Sequence, residues 1–412
     1  MSGPLTPPTP PTSPTLPTKV LVAMSGGVDS SVAAALLLRE GFEVVGCFMR
    51  LGSSEETGPE TKHHGCCSLN DAADARRVAA KLGIPLYICN FKKEFGRIIE
   101  YFVAEYNAGR TPNPCIRCKV WLKFGKQHSY ARQRGARYVA SGHYARIDGG
   151  PGALRLLRGV DREKDQSYVL FGTPPERLRE MLLPIGGYHK VDVRRIARRL
   201  DLPVFDKPDS QEICFVEDND YAGLVGRHTK MVAGSIVDTS GKVLGRHRGH
   251  QHFTVGQRRG LGVAVGYPLY VVQKDAATNT VCVGGRADLL AEGCAASGAN
   301  WLRGPDDGRW ITCTIKIRYN AQPVEGRVRA TAQDRLEVCF AESQFAVALG
   351  QAVVCYDGDQ VICGGWISET QLAGGDRFVT GCPQSKSVER GSGDGVLDSP
   401  RRCGVDDNAP EG

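Results

Sequence analysis

The stretch VLVAMSGGVDSSVAAALLL, residues 20–38, joins two apolar runs through a short segment of glycine, serine and aspartate. The first run is short and β-branched, which predicts a strand, and the second has the composition of a helix. Gly26 and Gly27 allow a tight turn and a close approach of a ligand to the backbone. Ser25, Ser30 and the amides at the helix start are donors directed at one place. The segment therefore predicts an anion site that is best suited to phosphate.

This elbow, residues 25–31, differs from the Walker A phosphate loop because it lacks the Lys-Ser/Thr ending. Asp29 would repel a phosphate group unless it binds Mg²⁺ or accepts hydrogen bonds from nearby donors. A glycine-rich turn that binds nothing is the structural alternative. The complete Ser-Gly-Gly-x-Asp-Ser order between a strand and a helix favours the phosphate site.

The composition is that of an ordinary soluble protein, with 412 residues, 41% hydrophobic and 24% charged. This length is sufficient for two or three domains. No apolar stretch approaches the roughly 18 residues of a membrane helix, and the Pro/Thr-rich start is not a secretory signal. We therefore expect a cytoplasmic protein with no membrane partner. The net charge of +7 is a weak indication of a polyanionic partner.

The fifteen cysteines also favour a reducing compartment, because their number is odd and no secretory signal precedes them. Most of them are expected to be small residues of the core. Strand-like runs contain Cys282, Cys313, Cys339, Cys355 and Cys363.

Strand and helix signals alternate from residue 19 to about 215, which predicts a Rossmann-like α/β domain with a parallel sheet covered on both faces. Strands are predicted in KVLVAM, EVVGCFMR, PLYICNF and ARYVASGHY. Helices are predicted in SSVAAALLLREG and LNDAADARRVAAKLG, the second capped by Asn70 or Asp71. Ligands of such sheets bind at the carboxyl ends of the strands, which is where the elbow lies.

After about residue 230 the pattern changes to short alternating runs separated by glycine and other turn residues, from GSIVDT and HFTV to QVICGGWI. This pattern predicts all-β domains, which we expect to be small barrels or a sandwich. The predicted organisation is a disordered start (1–18), an α/β domain (19–228), a central β-rich domain (229–296), a C-terminal β-barrel domain (297–370) and a disordered tail (371–412).

Two stretches place cysteines outside regular patterns. GRTPNPCIRCKVWLKFG, residues 109–125, contains Cys115 and Cys118, and FDKPDSQEICFVEDNDY, residues 205–221, contains Cys214. A Cys-x-x-Cys pair could be half of a zinc site, but the upstream GCC stretch has the wrong spacing for the other half. A thioredoxin-like redox pair would begin a helix in a different βαβ context. Neither alternative explains the elbow.

The elbow SGGVDSS resembles the pyrophosphate loop (PP-loop) of the ATP pyrophosphatase superfamily, which clamps the β- and γ-phosphates of ATP and leaves the α-phosphate open to attack. Further motifs follow in one order between about residues 19 and 368: TPNPC-x-x-C, LKFG, ASGHYAR, KDQSY, DSQEICFV, TVGQRRGLG, IRY and LGQAVVCYDGD. Together they resemble the tRNA-specific 2-thiouridylases. Residues 19–228 would then be the PP-loop ATP-binding catalytic domain.

This resemblance implies an enzyme, a tRNA-uridine 2-sulfurtransferase, that adenylates the wobble uridine of tRNA anticodons and then transfers a persulfide sulfur to it. ATP, Mg²⁺, tRNA and a persulfide sulfur donor, either a cysteine desulfurase or a relay carrier, are the implied cofactors and partners. The alternatives are another PP-loop ligase, another tRNA-modifying enzyme, and a non-catalytic RNA-binding or sulfur-carrier protein. The last of these would not need the elbow.

The resemblance also assigns residues. Cys214 corresponds to the persulfide carrier, and Cys118 to the partner that attacks it or forms a disulfide with it. The implied ATP contacts are Ala23, Met24, Ser25, Gly26, Gly27, Val28, Asp29, Ser30, Met49 and Gly142. The implied tRNA contacts are Asn113, Pro114, Cys115, His143, Lys164, Asp165, Gln166, Arg318, Tyr319 and Gln351.

Several of these assignments have alternatives. His143 is also compatible with a buried core histidine, and Arg318 and Tyr319 with an ordinary strand pair. Many relatives carry aspartate where this chain has Cys115, and a thiol does not reproduce a carboxylate at neutral pH. Cys115, Cys118 and Cys214 could together hold a [4Fe-4S] cluster, because three thiolates with an open position suit one. The all-β half, with its basic patch at residues 245–253, is expected to grip the body of the tRNA.

Overall fold

The computed structural model describes residues 17–52, 69–150, 153–209, 213–216, 220–304, 308–332 and 334–374. Nearly all of the predicted disordered start and tail lies outside these described residues. The chain divides into two compact units, which are described separately. The first unit contains Met1–Phe95, Cys118–Ser167 and Pro175–Phe215, and the second contains Gly96–Arg117, Tyr168–Pro174 and Val216–Gly412. The domain boundaries read from the sequence stay a prediction.

Strands and helices alternate along the first half of the chain, as predicted. In chain order they are β1 (Lys19–Ala23), α1 (Val28–Arg39), β2 (Glu43–Arg50), α2 (Leu69–Leu82), β3 (Leu86–Asn90), α3 (Lys92–Asn107), α4 (Pro114–Cys118), α5 (Gln127–Gln133), β4 (Tyr138–Ser141), β5 (Ala145–Asp148), β6 (Arg155–Arg158), α6 (Pro175–Leu178), β7 (Met181–Leu182), α7 (Lys190–Arg199) and α8 (Tyr221–His228). A π-helix, Lys119–Lys126, lies between α4 and α5, and a 3₁₀ turn spans Ser167–Leu170.

The sheet of the first unit has the order β3-β2-β1-β4-β7, and its strands pair in parallel. Val20, Leu21 and Val22 of β1 are all fully buried. Since successive strand residues point to opposite faces, both faces of β1 are covered. The predicted α/β fold class is therefore confirmed. All four predicted strands are present.

Helix α1 begins and ends where glycines permit it. Gly27 is the N-cap, with an extended backbone, and Gly41 follows the C-cap with φ +85°, a conformation that glycine adopts at little cost. The predicted cap of α2 is wrong, because this helix begins at Leu69 and both Asn70 and Asp71 lie in its first turn.

The second unit contains the predicted strands except one, and it contains one long strand that the sequence did not indicate. They are β8 (Gly234–Asp238), β9 (Val243–His247), β10 (Tyr270–Asp275), β11 (Thr280–Gly284), β12 (Leu290–Trp301), β13 (Ile311–Lys316), β14 (Val324–Ala332), β15 (Arg335–Phe345), β16 (Ala352–Asp357) and β17 (Gln360–Leu372). The unpredicted strand is β12. The predicted strand HFTV is wrong, because a 3₁₀ turn at His250–His252 leads into irregular backbone there.

Strands β12 to β17 form a closed six-stranded barrel in the order β12-β15-β14-β13-β16-β17, with β12 also pairing to β17. Strands β8 to β11 form a separate four-stranded sheet in the order β10-β11-β8-β9. Each has its own apolar core, so the all-β prediction is confirmed. No helix in the described part of the chain has the length and apolar content needed to cross a membrane.

Candidate active site

The elbow has the tight conformation that its glycines predict. Gly26 has φ +72°, and a Cβ atom there would lie 2.2 Å from the carbonyl oxygen of Asp71, so only glycine fits. The Ser25 amide donates to Ser30 Oγ (3.2 Å), and the Ser31 hydroxyl donates to the Gly27 carbonyl oxygen (2.7 Å). These bonds fix the turn. The first amides of α1 have no partner within the helix and remain suited to an anion.

Asp29, the residue that would repel a phosphate group, is held by two donors. Lys190 Nζ lies 2.8 and 2.9 Å from its carboxylate oxygens, and the Tyr144 hydroxyl donates to it at 2.8 Å. Lys190 is nearly buried, with 8% of its surface exposed, and it also pairs with Asp209 at 2.7 Å. The negative charge of Asp29 is therefore largely compensated beside the elbow.

The segment before Cys214 is anchored to the elbow on two sides. Lys207 Nζ donates to the Gly26 carbonyl oxygen (3.0 Å) and to the carboxylate of Asp71 (2.6 Å). Asp209 accepts from Lys190, which in turn contacts Asp29. Burial raises the pKa of Asp209, but hydrogen bonds from its lysine partners outweigh burial and lower the pKa. Residues 207–209 are thus fixed against the predicted phosphate site.

Gly142, a predicted ATP contact, lies against the start of α1. A Cβ atom at this position would lie 2.5 Å from the carbonyl carbon of Asp29 and 2.6 Å from the Ser30 nitrogen. The absence of a side chain therefore lets the end of β4 approach the amides of the elbow. Val28, another predicted contact, is buried in the core, so only its backbone is available to a ligand.

A cavity lies at the carboxyl ends of β1 and β2, where the fold class predicts a ligand. Cys118 shares it with residues predicted to contact ATP. It is lined by Ala23, Met24, Ser25, Cys47, Met49, Leu51, Cys118 and Lys123. The start of the elbow, the end of β2 and one predicted catalytic sulfur therefore open onto the same space.

Cys118 ends α4 and is followed directly by the π-helix. The wider turns of that helix bring Gly125 against the Val120 carbonyl oxygen, 2.6 Å from where a Cβ atom would lie. Such π-segments are frequent at functional sites. Lys123, within this helix, provides a positive charge to the cavity that Cys118 lines.

The other two predicted cysteines are half-buried. Cys214 lies in a turn whose next residue, Phe215, packs edge-on against Phe95. Cys115 lies in α4, where Asn113 Oδ1 accepts from the Ile116 amide (3.3 Å) at the helix start. Within the described residues, no group of three or more His, Cys, Asp or Glu side chains is arranged to hold a metal ion. The described geometry gives the predicted iron–sulfur cluster no support.

The predicted tRNA contacts of the first unit differ in how accessible they are. His143 is buried, accepts from or donates to Ser141 Oγ at 2.7 Å, and has its pKa lowered by burial and by nearby lysines. Asp165 is also buried and accepts from the amides of Gly159 and Ser167. This geometry favours the core interpretation of His143 and a structural role for the Asp165 carboxylate.

Lys164 and Gln166 are half-buried and face other partners. Lys164 Nζ pairs with Asp209 at 2.9 Å, with 37% of its side chain exposed. Gln166 accepts from the Tyr144 amide at 3.0 Å. Lys164 is thus the most accessible cation among the tRNA contacts predicted for this unit.

In the second unit the predicted tRNA contacts also stabilise the fold. Arg318 donates to the Ala346 carbonyl oxygen (2.6 Å), and burial lowers its pKa. Gln351 donates to the carbonyl oxygens of Thr111 and Pro112 and so fixes the chain before Asn113. Tyr319 lies with its ring centroid 6.2 Å from that of the buried Tyr168.

The basic patch at residues 245–253 is only partly exposed. Arg246, Arg248 and His252 are exposed, whereas His247 and His250 are buried. His250 contacts the carbonyl oxygen of Tyr106 at 3.2 Å. The exposed arginines remain suited to phosphate, and the two buried histidines belong to the local packing.

The sequence interpretation missed most of the polar residues around the elbow. Tyr144, Lys190 and Lys207 contact it or its aspartate, and Asp209 is linked to Asp29 through Lys190. Lys190 nevertheless lies 161 positions from Asp29 in the chain. The FDKPD stretch, residues 205–209, shortly precedes Cys214 in the sequence. Its lysine and second aspartate, close to a predicted catalytic cysteine, were the available signal.

Comparisons with known proteins bear on the family to which the chain belongs. Family models described as a tRNA methyl transferase HUP domain, a tRNA methyl transferase PRC-barrel domain and an aminomethyltransferase beta-barrel domain match residues 18–218, 223–285 and 291–367. The tRNA-specific 2-thiouridylase MnmA of Rhodopirellula baltica is 45% identical over 384 residues, which cover 85% of this chain and 96% of that protein. The protein of the same name from Geotalea uraniireducens is 49% identical over 355 residues, covering 85% and 94%.

Among solved structures, a 4-thiouridine synthetase in complex with RNA and ATP is 18% identical, covers 48% of this chain and 45% of its own, and has a TM-score of 0.32. That likeness is too distant to support an argument. The two thiouridylases above are 45% and 49% identical to this chain over nearly their whole length, and they show the family without the solved structure. The chain belongs to the family of tRNA-specific 2-thiouridylases.

Proposed function

We propose that this protein catalyses the ATP-dependent 2-thiolation of the wobble uridine in tRNA anticodons. The observation that carries the proposal is the cavity at the end of β1, where Cys118 lies beside Ala23, Met24 and Ser25. Phosphate binding by the elbow and sulfur chemistry at Cys118 would then occur in one space. A phosphate site remote from any cysteine would instead favour a ligase of the same superfamily.

The first step of the proposed reaction is adenylation of the base. The elbow amides would hold the β- and γ-phosphates of ATP, and the uridine O2 would attack the α-phosphate. Pyrophosphate leaves, and the oxygen becomes part of an AMP leaving group. Since Asp29 is already bonded to Lys190 and Tyr144, we propose that its carboxylate would not hold Mg²⁺, which when bound would supply charge neutralisation on the phosphates.

The second step is sulfur transfer. Cys214 would carry a persulfide received from a sulfur-donor protein, a cysteine desulfurase or a relay carrier. The terminal sulfur attacks C2 of the adenylated base, and AMP leaves. Cys118 then attacks the Cys214 sulfur, which breaks its bond to the transferred sulfur, releases the 2-thiouridine and leaves a Cys118–Cys214 disulfide. A thiol reductant must then return both cysteines to the reduced form. Anchoring of residues 207–209 at the elbow supports this assignment, because it brings the chain leading to Cys214 towards the nucleotide.

The remaining assignments concern the RNA. A base stacked in an anticodon loop is inaccessible to such a cavity, so the wobble uridine would be extruded from the loop. We propose that Asn113, Pro114 and Cys115 face the extruded base, and that Lys164 binds the tRNA backbone. Arg318, Tyr319 and Gln351 would support the RNA from the second unit. The reaction would take place in the cytoplasm, where tRNA and thiol reductants are available.

The test separates the two steps. Purified protein should release pyrophosphate from ATP when tRNA is added, and the product tRNA should contain 2-thiouridine by mass spectrometry. Cys214→Ser should abolish 2-thiouridine formation while pyrophosphate release stays measurable. Thiolation that survives unchanged in this variant would remove the sulfur relay from the proposal. Pyrophosphate release without any tRNA dependence would favour a small-molecule ligase.

A further inference from the structure

A second pair of thiols lies beside the cavity and takes no part in the reaction proposed above. Cys47 in β2 and Cys89 in β3 lie on adjacent parallel strands, offset by two positions in register, and their sulfur atoms are 3.2 Å apart. Cys47 is fully buried and lines the same cavity as Ser25 and Cys118. The pair therefore lies between the cavity and β3, an edge strand of the sheet.

The two sulfurs are close enough for a covalent bond. A disulfide has a sulfur–sulfur length of about 2.05 Å, so the atoms need to approach by about 1.2 Å. The side chains already point at each other, and the Cys47 thiol donates to the Cys89 sulfur. Because the two residues are offset by two positions in register, formation of the bond requires a shift of β2 relative to β3.

The surroundings of Cys89 favour its reaction. The hydrogen bond from Cys47, together with the Tyr130 hydroxyl and the charge of Arg134, lowers the Cys89 pKa to about 7 despite burial. Arg134 lies over the rings of Tyr87 and Tyr130, 4.3 and 5.1 Å from their centroids. Since the thiolate is the reactive form, Cys89 is the better nucleophile of the pair.

Cys47 has the properties of the second, resolving thiol. Its proton is held in the hydrogen bond to Cys89, which raises its pKa. The nearby Gln127, which is buried, acts in the opposite direction and lowers the pKa of Cys47 in part. Once Cys89 is oxidised, Cys47 loses that hydrogen bond and is positioned to attack.

We propose that Cys47 and Cys89 are a redox modification site that hydroperoxides oxidise to a disulfide, and that this bond weakens ATP binding in the adjacent cavity. Cys89 sulfur attacks the peroxide oxygen and forms a sulfenic acid, with water as the second product. Cys47 sulfur then attacks the sulfenic sulfur, which releases the hydroxyl as a second water with the Cys47 proton. Two thiols and one hydrogen peroxide thus give one disulfide and two waters.

The effect on the cavity follows from the position of Cys47 in its wall. Movement of this sulfur towards β3 displaces the end of β2, which also carries Met49, another lining residue. A misplacement of about 1 Å in an active site can reduce a rate about a hundredfold, and the fit of a bound nucleotide depends on the same geometry. We therefore expect the dissociation constant for ATP to rise about tenfold on oxidation. This part rests on the proposed ATP site, whereas the disulfide itself does not.

The experiment treats the full-length protein with hydrogen peroxide, blocks remaining thiols and digests with trypsin without reduction. Residues 40–50 and 82–92 are tryptic peptides with one cysteine each. We expect mass spectrometry to find them joined, and the joined mass to disappear after dithiothreitol. The Cys118→Ser/Cys214→Ser variant should still form the link, which excludes exchange with the catalytic cysteines.

ATP affinity is measured on the same samples. Oxidation should raise the dissociation constant of the wild type, dithiothreitol should restore it, and Cys89→Ser should be insensitive to peroxide with unchanged initial affinity. Barrel cysteines such as Cys355 and Cys363, paired in register and fully buried, should remain reduced as internal controls. Absence of the joined peptides, or their formation with unchanged ATP affinity, would overturn the proposal. A reduced protein that binds no ATP would instead contradict the proposed function and leave the disulfide result standing.

Discussion

Two lysines are almost equally buried, yet they have opposite surroundings. Lys190 in the first unit retains 8% of its surface and forms ion pairs with Asp29 and Asp209 at 2.8 and 2.7 Å. Lys274 in the second unit retains 6%, and its Nζ has no hydrogen-bond partner within the described residues. Its charge lies 5.2 Å from the ring centroid of Tyr106.

The difference shows what a buried charge contributes in each place. A paired lysine holds two carboxylates in position, and its removal leaves them uncompensated. An unpaired buried lysine loses its hydration and gains no ion pair in exchange. Burial therefore lowers the pKa of Lys274 from 10.5 to about 8. A paired buried lysine is expected where the residues of a site must be held in place. An unpaired buried lysine destabilises the fold that contains it.

Lys190→Met is the change with the largest expected effect. Asp29 and Asp209 would then face each other beside the elbow without their shared cation. Because both carboxylates keep some solvent contact, we expect a loss of about 2 to 4 kcal/mol in the free energy of unfolding. Urea denaturation would measure it, and Lys190→Arg should recover most of the loss. A methionine variant as stable as the wild type would contradict the role of Lys190 in compensating these charges.

Lys274→Met should have the opposite sign. Methionine keeps the volume of the buried stem and removes the poorly hydrated charge, so we expect a gain of about 1 to 3 kcal/mol at pH 7. The same denaturation experiment measures this gain. Lys242→Met, at an exposed position, is the matched control and should change stability by less than about 0.5 kcal/mol. Destabilisation by Lys274→Met would show that the cation–ring contact outweighs the cost of burial.

The pH dependence of stability sharpens the same point. Between about pH 8 and 10.5 the unfolded chain binds more protons at Lys274 than the folded chain, so stability should rise with pH. Below about pH 8 both states are protonated, and the full cost of burial is present. Relative to Lys274→Met, the wild type should gain about 1 to 2 kcal/mol from pH 8 to pH 10. If the stability of the wild type and of Lys274→Met changed with pH in the same way, Lys274 would have an ordinary lysine pKa in the folded state.

The parts that the sequence predicted correctly are those with local signals. The elbow, the strands on either side of α1 and the glycine after α1 all follow from neighbouring residues. Strand β12 lacked such a signal, because LAEGCAASGANW is rich in alanine and glycine and has little intrinsic preference for a strand. It is a strand because β15 and β17 pair with its two edges.

The candidate site divides in the same way. Gly26 and Gly27, which form its backbone part, are neighbours in the sequence, so the turn could be predicted. Cys118 could be assigned because it lies in the TPNPC-x-x-C motif. The contacts of Lys207 with Gly26 and of Lys190 with Asp29 join positions 181 and 161 residues apart. Nothing local in a single sequence indicates such pairs. His143 shows a different limit of sequence analysis. Its place in a motif suggested a tRNA contact, but a motif does not reveal that the side chain is buried.

The smallest expected effect on stability concerns Lys164, the most exposed member of the ion network around Lys190. Its Nζ lies 2.9 Å from Asp209, but that carboxylate also pairs with Lys190 and Arg194. Because 37% of the Lys164 side chain is exposed, Lys164→Met should change the free energy of unfolding by no more than about 0.5 kcal/mol.

If Lys164 instead serves tRNA, its removal should weaken tRNA binding several-fold and reduce the dependence of log Kd on log salt by about one. Lys126→Met is the control, since Lys126 forms a surface ion pair with Glu94 at 3.4 Å and is not assigned to tRNA. Filter binding over a range of salt concentrations measures both slopes. Unchanged tRNA affinity together with a clear loss of stability would show that Lys164 has a structural role like that of Lys190, and would remove it from the predicted tRNA contacts.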